Sequence, residues 1–293
     1  MRTLIIGCGY TGEALGKRLF SIGHEVSGIL RNKENNARLI ELGITPLNLD
    51  ITKTSEIQQI PNNYDNIIIS VSSSRGGLDA YKNVFGKGMI NISNWLQTQS
   101  IKSVVFISST SVYRETDGEW VNEESETKPT SPNGVSRLNA EKSWMNLAAN
   151  KGLPIQIFRL SGIYSDQRNI LSRLKLGQEK IIDKKNHFFS RIHIDDIANI
   201  LFNSLKKFKT EEIYNISDDK PASSKELILY GSQILGIEKP ETVSVNSIEN
   251  EMLKNFYKDS KKVSNKKMKN KLLIKLKYPT YREGLRNIFN NFR

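Results

Sequence analysis

Cysteine is nearly absent: Cys8 is the only one in 293 residues. That excludes an internal disulfide and a cysteine metal cluster, and no metal is expected. Long apolar runs are absent too. Nothing approaches the roughly 18–20 consecutive apolar residues of a spanning helix, so no membrane partner is expected. The apolar run near the N-terminus is four residues long and reads as a strand rather than a signal peptide, which points to a cytoplasmic protein. Internal repeats and low-complexity linkers are also missing. The length suits one large or two coupled domains, with ample chain to bury a core.

Charge is unevenly spread. The formal net charge is +12, and from Lys258 onward twelve Lys/Arg face two acids, Asp259 and Glu283. That segment therefore carries +10, and Met1 to Tyr257 only +2. It is either a nucleic-acid or polyphosphate surface, or the solvated face of a lysine-rich chain. Basic and aromatic residues do not interleave, which disfavours nucleic acid as a partner.

Strand and helix patterns alternate from the start. Strands are expected at Thr3–Ile6, His24–Leu30, Pro46–Leu49, Asn66–Ile69, Lys102–Ser108 and Pro154–Leu160. Helices are expected after the first strand (Ala14, Leu15, Leu19, Ile22), over Gly77–Gln99 and over Ser136–Ala149. The Gly77–Gln99 stripe contains Tyr81, Val84, Phe85, Met89, Ile92 and Leu96. Continuous apolar strands between helices indicate a parallel sheet covered on both faces. The expected class is α/β: a Rossmann-type doubly wound sheet over residues 1–160, then a smaller substrate-binding lobe over 161–293. That lobe has interleaved elements, and the basic stretch is read as an irregular tail.

GCGYTG supplies Gly7, Gly9 and Gly12 between a strand and a helix, the context that a dinucleotide turn requires. Gly7 permits the tight turn, Gly9 lets a pyrophosphate approach, and Gly12 lets helix and strand pack closely. The helix N-terminus, with Tyr10 and Thr11, faces the phosphates with its N–H groups. Strand two ends on Arg31, where an acid commonly grips the ribose hydroxyls. An arginine pairs with a 2′-phosphate, which favours NADP(H) over NAD(H), unless Arg31 is an exposed loop residue only. Asp50 accepts from the adenine amino group or caps the following segment. The Ser70–Ser74 run lies beside the cofactor or is a plain loop.

With these motifs the chain resembles the extended short-chain dehydrogenase/reductases, the superfamily of nucleotide-sugar epimerases and dehydratases. VVFISSTSVY (104–113), SPNGVSRLNAE (131–141), FRLSGIY (158–164), RIHIDDIA (191–198), YNISDD and YPTYREGL continue the likeness in the superfamily's order. The resemblance implies a Tyr-x-x-x-Lys pair, but Asn133 stands at the tyrosine position and Arg137 at the lysine position. Asparagine cannot exchange a proton near neutral pH, and arginine does not titrate there. Ser109 matches the third catalytic position, or caps its strand. Gly162 stands where an Asn usually meets the sugar nucleotide, and Phe189 where an Arg holds the diphosphate. Arg191, two residues on, shares that strand face if the strand is regular. Tyr113 and Tyr164 join Gly162 and Arg191 as candidate substrate contacts and, with water or the substrate itself, as alternative proton donors. His193 reads as structural, and Asp195 and Asp196 as caps of a helix from Ile197.

The combination is similar to the atypical extended members that lack the tyrosine–lysine pair. It implies an NAD(P)-dependent oxidoreductase or epimerase-like protein acting on a small polar metabolite through a non-standard proton donor. A non-catalytic NADP(H) sensor and an RNA-associated member are the alternatives. In many relatives the helices matching Gly77–Gln99 and Ser136–Ala149 build a dimer, so a homodimer is compatible with the sequence.

Overall fold

Thr3, Leu4, Ile5 and Ile6 are fully buried on both faces of a strand, Arg2–Ile6 (β1). A strand covered from both sides has no reason to alternate polar and apolar residues. The structure, a computed structural model of the chain, describes residues 1–72, 77–114 and 117–292. Six more strands join β1: Glu25–Leu30 (β2), Ile44–Asn48 (β3), Asn66–Ile69 (β4), Ser103–Ser109 (β5), Ile155–Leu160 (β6) and Glu212–Ile216 (β7). Their order is β7-β6-β5-β4-β1-β2-β3. β1 pairs in parallel with β2 and β4, β2 with β3, and β4 with β5. This is the doubly wound order, and the winding reverses between β1 and β4. β3 starts two residues before the expected Pro46. Pro46 is tolerated because β3 is an edge strand, where a missing N–H costs little.

The chain forms two compact units. The first holds residues 1–112, 127–159 and 197–214, and the second 113–126, 160–196 and 215–293. In the first, the helix Tyr10–Phe20 (α1) follows β1 directly. The long stripe after β4 is helical over Gly77–Leu96 but contains a π-turn at Val84–Gly88. The helix expected at Ser136–Ala149 runs over Pro132–Lys151 (α2) instead. Its start is set by Ser131, whose Oγ accepts from the Gly134 N–H at 3.2 Å, and by Pro132 in the first turn. Gly152, at φ +66°, ends it. Asn133 and Arg137 thus lie one turn apart on one helix face.

The second unit has short parallel pairs: Gly162–Tyr164 with Arg191–His193, Ile181–Asp183 with Thr242–Ser244, and Trp120–Val121 with Lys262–Val263. Its core includes Tyr164, Leu171, Ile228, Tyr281, Leu285 and Ile288. Two expectations are corrected here. The basic stretch is no irregular tail. It contributes the Lys262–Val263 strand and the helices Lys266–Leu272 and Tyr281–Asn291, and its lysines pair with acids, as in Lys269–Asp219 (2.9 Å) and Lys277–Asp195 (3.0 Å). Nor does Asp196 cap a helix from Ile197, because that helix already begins at Ile194. The buried Asp196 carboxylate instead accepts from the Lys277 and Tyr278 N–H groups at 2.7 and 3.0 Å, anchoring the basic segment.

One ion pair ties α2 to the sheet. Arg159 on β6 donates from Nε and Nη2 to the Glu141 carboxylate on α2 at 2.7–3.2 Å, and both side chains are nearly inaccessible. Removing one partner of such a pair leaves an uncompensated buried charge. Glu141→Leu is therefore expected to destabilise the protein by about 3–5 kcal/mol, read from denaturant unfolding. A change below about 1 kcal/mol would show that the pair does not hold α2 in place.

Candidate functional site

The turn from β1 to α1 shows why each glycine is there. Gly7 has φ +85°, and a Cβ on it would lie 2.7 Å from the Ser70 carbonyl oxygen and the Val71 Cα, where the chain leaves β4. A Cβ on Gly12 would meet Ile5 Cγ2 at 2.9 Å, so α1 packs down on β1 only without one. Gly9 differs: among the described residues no atom lies within 4 Å of its would-be Cβ. Gly9 also caps α1 without any side-chain hydrogen bond. The result is an uncapped helix N-terminus, carrying Tyr10 and Thr11, over open space at the switch point of the sheet. Cys8 is buried beneath it, and burial together with Glu13 pushes its thiol up to about 12, so it is inert.

The neighbouring candidates surround this turn. The Ser70 N–H donates to the Ile6 carbonyl at 2.8 Å, and Ser73 and Ser74 lie outside the described residues. Arg31 is exposed at the end of β2 and makes no hydrogen bond or ion pair among the described residues. Asp50 Oδ1 accepts from the Thr52 N–H and hydroxyl at 2.9 and 2.8 Å. Burial alone would raise the Asp50 pKa. The Thr52 hydrogen bonds and the charges of Arg31 and Lys53 outweigh it and hold the carboxyl below its ordinary value.

At the end of β5, Ser109 Oγ accepts from the Ser111 N–H at 3.2 Å, which leaves its own proton to donate. Arg137 Nη1 donates to the Ile107 carbonyl at 3.3 Å, and its guanidinium lies over the Phe85 ring (4.9 Å) and the Tyr81 ring (5.9 Å). The Tyr81 hydroxyl in turn donates to the Asn133 carbonyl at 3.2 Å. Burial raises the Tyr81 pKa, and the adjacent Arg137 charge opposes that. Tyr81 was legible only as one member of an apolar stripe, because periodicity registers the ring and not the hydroxyl. The first unit thus brings Asn133 and Arg137 together with Tyr81, and Ser109 lies two residues beyond the Ile107 carbonyl that Arg137 meets.

The second unit holds a cleft of about 1280 Å³, lined by Gly162, Tyr164 and Arg191 among others. Tyr113 does not line it. Its buried hydroxyl donates to Asn215 Oδ1 at 2.7 Å, so it is not available to a substrate or as a proton donor. The Tyr164 hydroxyl has no hydrogen-bond partner among the described residues, and burial followed by the charges of Asp218 and Asp196 drives its pKa far above the ordinary tyrosine value. Gly162 and Phe189, two separate departures in the sequence, form a single contact. A Cβ on Gly162 would lie 2.4 Å from the Phe189 ring.

His193 is a packing residue. Its ring lies 5.0 Å from Tyr164 and 4.2 Å from Tyr278, and its Nδ1 accepts from the Asp195 N–H at 3.2 Å. Burial lowers its pKa below 6.5. Protonation therefore disfavours the folded state: the stability is whole above pH 6.5 and is lost as pH falls through the lowered folded value. His193→Asn is expected to flatten the decline in unfolding free energy between pH 7 and 5, by at most about 1.4 kcal/mol per pH unit. Parallel profiles for the two proteins would contradict this.

The model of the NAD dependent epimerase/dehydratase family matches residues 3–217. No curated protein matches the chain. Among solved structures, a conserved protein of unknown function from Silicibacter pomeroyi is 29% identical, with 99% of each chain covered and a TM-score of 0.84. The UDP-glucuronic acid 4-epimerase of Bacillus cereus, in complex with NAD, is 18% identical over 100% of this chain and 99% of its own, with a TM-score of 0.81. The dTDP-glucose 4,6-dehydratase of Bacillus anthracis, in complex with NAD, is 17% identical over 99% and 96%, with a TM-score of 0.82. At such identities the two enzymes share the fold. No helix among the described residues is long and apolar enough to cross a membrane. A family match over most of the length, on a sheet of this winding with an open glycine turn at its switch point, places the chain in the NAD dependent epimerase/dehydratase family.

Proposed function

We propose that the protein is an NAD(P)-dependent oxidoreductase or epimerase-like enzyme acting on a small polar metabolite, with its dinucleotide on the β1–α1 turn. The observation that carries this reading is Gly9. Its missing Cβ has no atom of the described residues within 4 Å, whereas those of Gly7 and Gly12 face backbone and core, so the turn leaves room for a pyrophosphate over the start of α1. Gly7, Gly9, Tyr10, Thr11 and Gly12 would hold the pyrophosphate, Asp50 and Ser70 would flank the nucleotide, and Arg31 would meet a 2′-phosphate. The exposed guanidinium of Arg31 at the end of β2 supports a preference for NADP(H) over NAD(H). The cofactor supplies hydride transfer when bound.

The chain's own residues must manage the proton. Ser109 donates a hydrogen bond to the reacting oxygen. Arg137 keeps positive charge at the lysine position without titrating, and Asn133 neither gives nor takes a proton. Tyr113 and Tyr164 are poor donors for the reasons above. Tyr81 lies beside Arg137, whose charge opposes the effect of burial on its hydroxyl, and it stands in for the missing tyrosine once a substrate oxygen replaces the Asn133 carbonyl as its acceptor. The absence of a titratable group at 133 equally favours a second reading, an NADP(H)-binding sensor without turnover. The RNA-associated reading has less support, since lysines of the basic segment are engaged within their own unit. A homodimer through the helices Gly77–Leu96 and α2 is consistent with exposed Ile90 and Val135 on them.

Turnover decides between enzyme and sensor. Reduction of a panel of carbonyl compounds and sugar nucleotides, followed at 340 nm, is expected to show activity that falls at least about 100-fold in Tyr81→Phe. A full panel without turnover, alongside tight dinucleotide binding, favours the sensor. Gly9→Val adds bulk only in the open space, so the protein should fold and lose at least about 10-fold in dinucleotide affinity, or ~1.4 kcal/mol. Unchanged affinity would remove the turn from the site. Arg31→Ala should weaken NADPH by about 1.5–3 kcal/mol and leave NADH nearly untouched, read by calorimetry. Equal effects on both cofactors would rule Arg31 out as the discriminator.

A further inference from the structure

We propose that Phe85 is a positioning residue of the first unit's site: its ring seats the Arg137 guanidinium beside Tyr81, in a place that an arginine fits and a lysine does not. The proposal rests on the functional reading above only for the use made of the Tyr81 proton. The seat itself follows from the packing of the first unit.

Tyr81 and Phe85 are four residues apart on the helix after β4, so they project from one face. Both are buried, and their rings stack with 4.4 Å between centroids and 24° between planes. Phe106 on β5 meets Phe85 edge-on at 6.5 Å, and Phe106 in turn packs on Trp144 of α2 at 6.1 Å. The Phe85 ring is thus fixed by its own helix and by the sheet. It also belongs to the π-turn at Val84–Gly88, a departure from α-geometry that recurs at functional sites. The Arg137 guanidinium lies closer to the Phe85 ring (4.9 Å) than to the Tyr81 ring (5.9 Å), and its Nη1 is pinned to the Ile107 carbonyl. A planar guanidinium lies on a ring and still donates from its edge. An ammonium is a strongly hydrated point charge without a plane, so lysine would keep the charge and lose the seat.

The consequence is electrostatic. Held in this place, the Arg137 charge acts on the Tyr81 hydroxyl and opposes the rise that burial imposes. Other charges nearby are turned elsewhere. Asp79, Lys82 and Lys87 on the same helix are exposed, and Glu141 on α2 is paired with Arg159. A charge free to swing into water would be screened from Tyr81 and lose most of its effect. Phe85 therefore acts on the Tyr81 proton through Arg137.

The test is the titration of Tyr81 in the full chain without cofactor or substrate. Tyrosines carry carbon-13 at Cζ, and the Tyr81 signal is assigned by its loss in Tyr81→Phe. Arg137→Met should raise the Tyr81 pKa by about one unit. Phe85→Leu, which keeps an apolar side chain but no ring face, should raise it by at least about half a unit, and Arg137→Lys should do the same. The sign separates this from a packing role. Loosened packing alone would let water reach Tyr81 and move its pKa down. A downward or absent shift in Phe85→Leu would therefore overturn the proposal. Should that variant not fold, Arg137→Lys at an intact Phe85 decides, and a titration like the parent's overturns the proposal. So does a parent in which Tyr81 fails to ionise before alkaline unfolding. Turnover on the carbonyl panel is read separately: the expected shifts in a protein without turnover leave the seat standing and favour the sensor over the enzyme.

Discussion

The first unit depends on a close approach of two chain segments. Where the chain leaves β1 it must turn back within contact of the chain leaving β4, and a Cβ on Gly7 would lie 2.7 Å from that backbone. Only a residue without a side chain, at φ +85°, can make the turn there. The turn aims the start of α1 at the gap where the sheet order reverses. Gly12 then lets α1 settle on Ile5, and at Gly9 no atom of the described residues crowds the space above the helix start. One steric constraint therefore produces both the packing of the helix and the opening over its positive end.

The second unit is organised by a different contact, the seating of the Phe189 ring over Gly162. At two positions where the sequence resemblance implies polar groups, the chain has a packed contact instead. The change is cooperative: a side chain at 162 would displace the ring, and the carbonyl of the same Phe189 helps pin Arg191.

Much of this was legible in the residues. Buried strands announce themselves as apolar runs, so Thr3–Ile6 and Asn66–Ile69 were readable to the residue or nearly so. The glycine turn was readable because its chemistry is local. What escaped depended on contacts distant in sequence. Asp196 looks like a helix cap until the Lys277 and Tyr278 N–H groups are found on its carboxylate. The basic stretch looked irregular because its partners, Asp195 and Asp219, lie far upstream. Tyr81 hid in an apolar stripe, and the dependence of Gly162 on Phe189 could not be seen from two positions read separately.

The central claim is that a dinucleotide sits on the β1–α1 turn. Hydrogen–deuterium exchange with and without NADPH tests it on the unmodified chain. Protection is predicted at the amides of Gly9, Tyr10, Thr11 and Gly12 and in peptides covering Arg31 and Ser70. Protection confined to the second unit, with the turn exchanging at its free rate, would contradict the account.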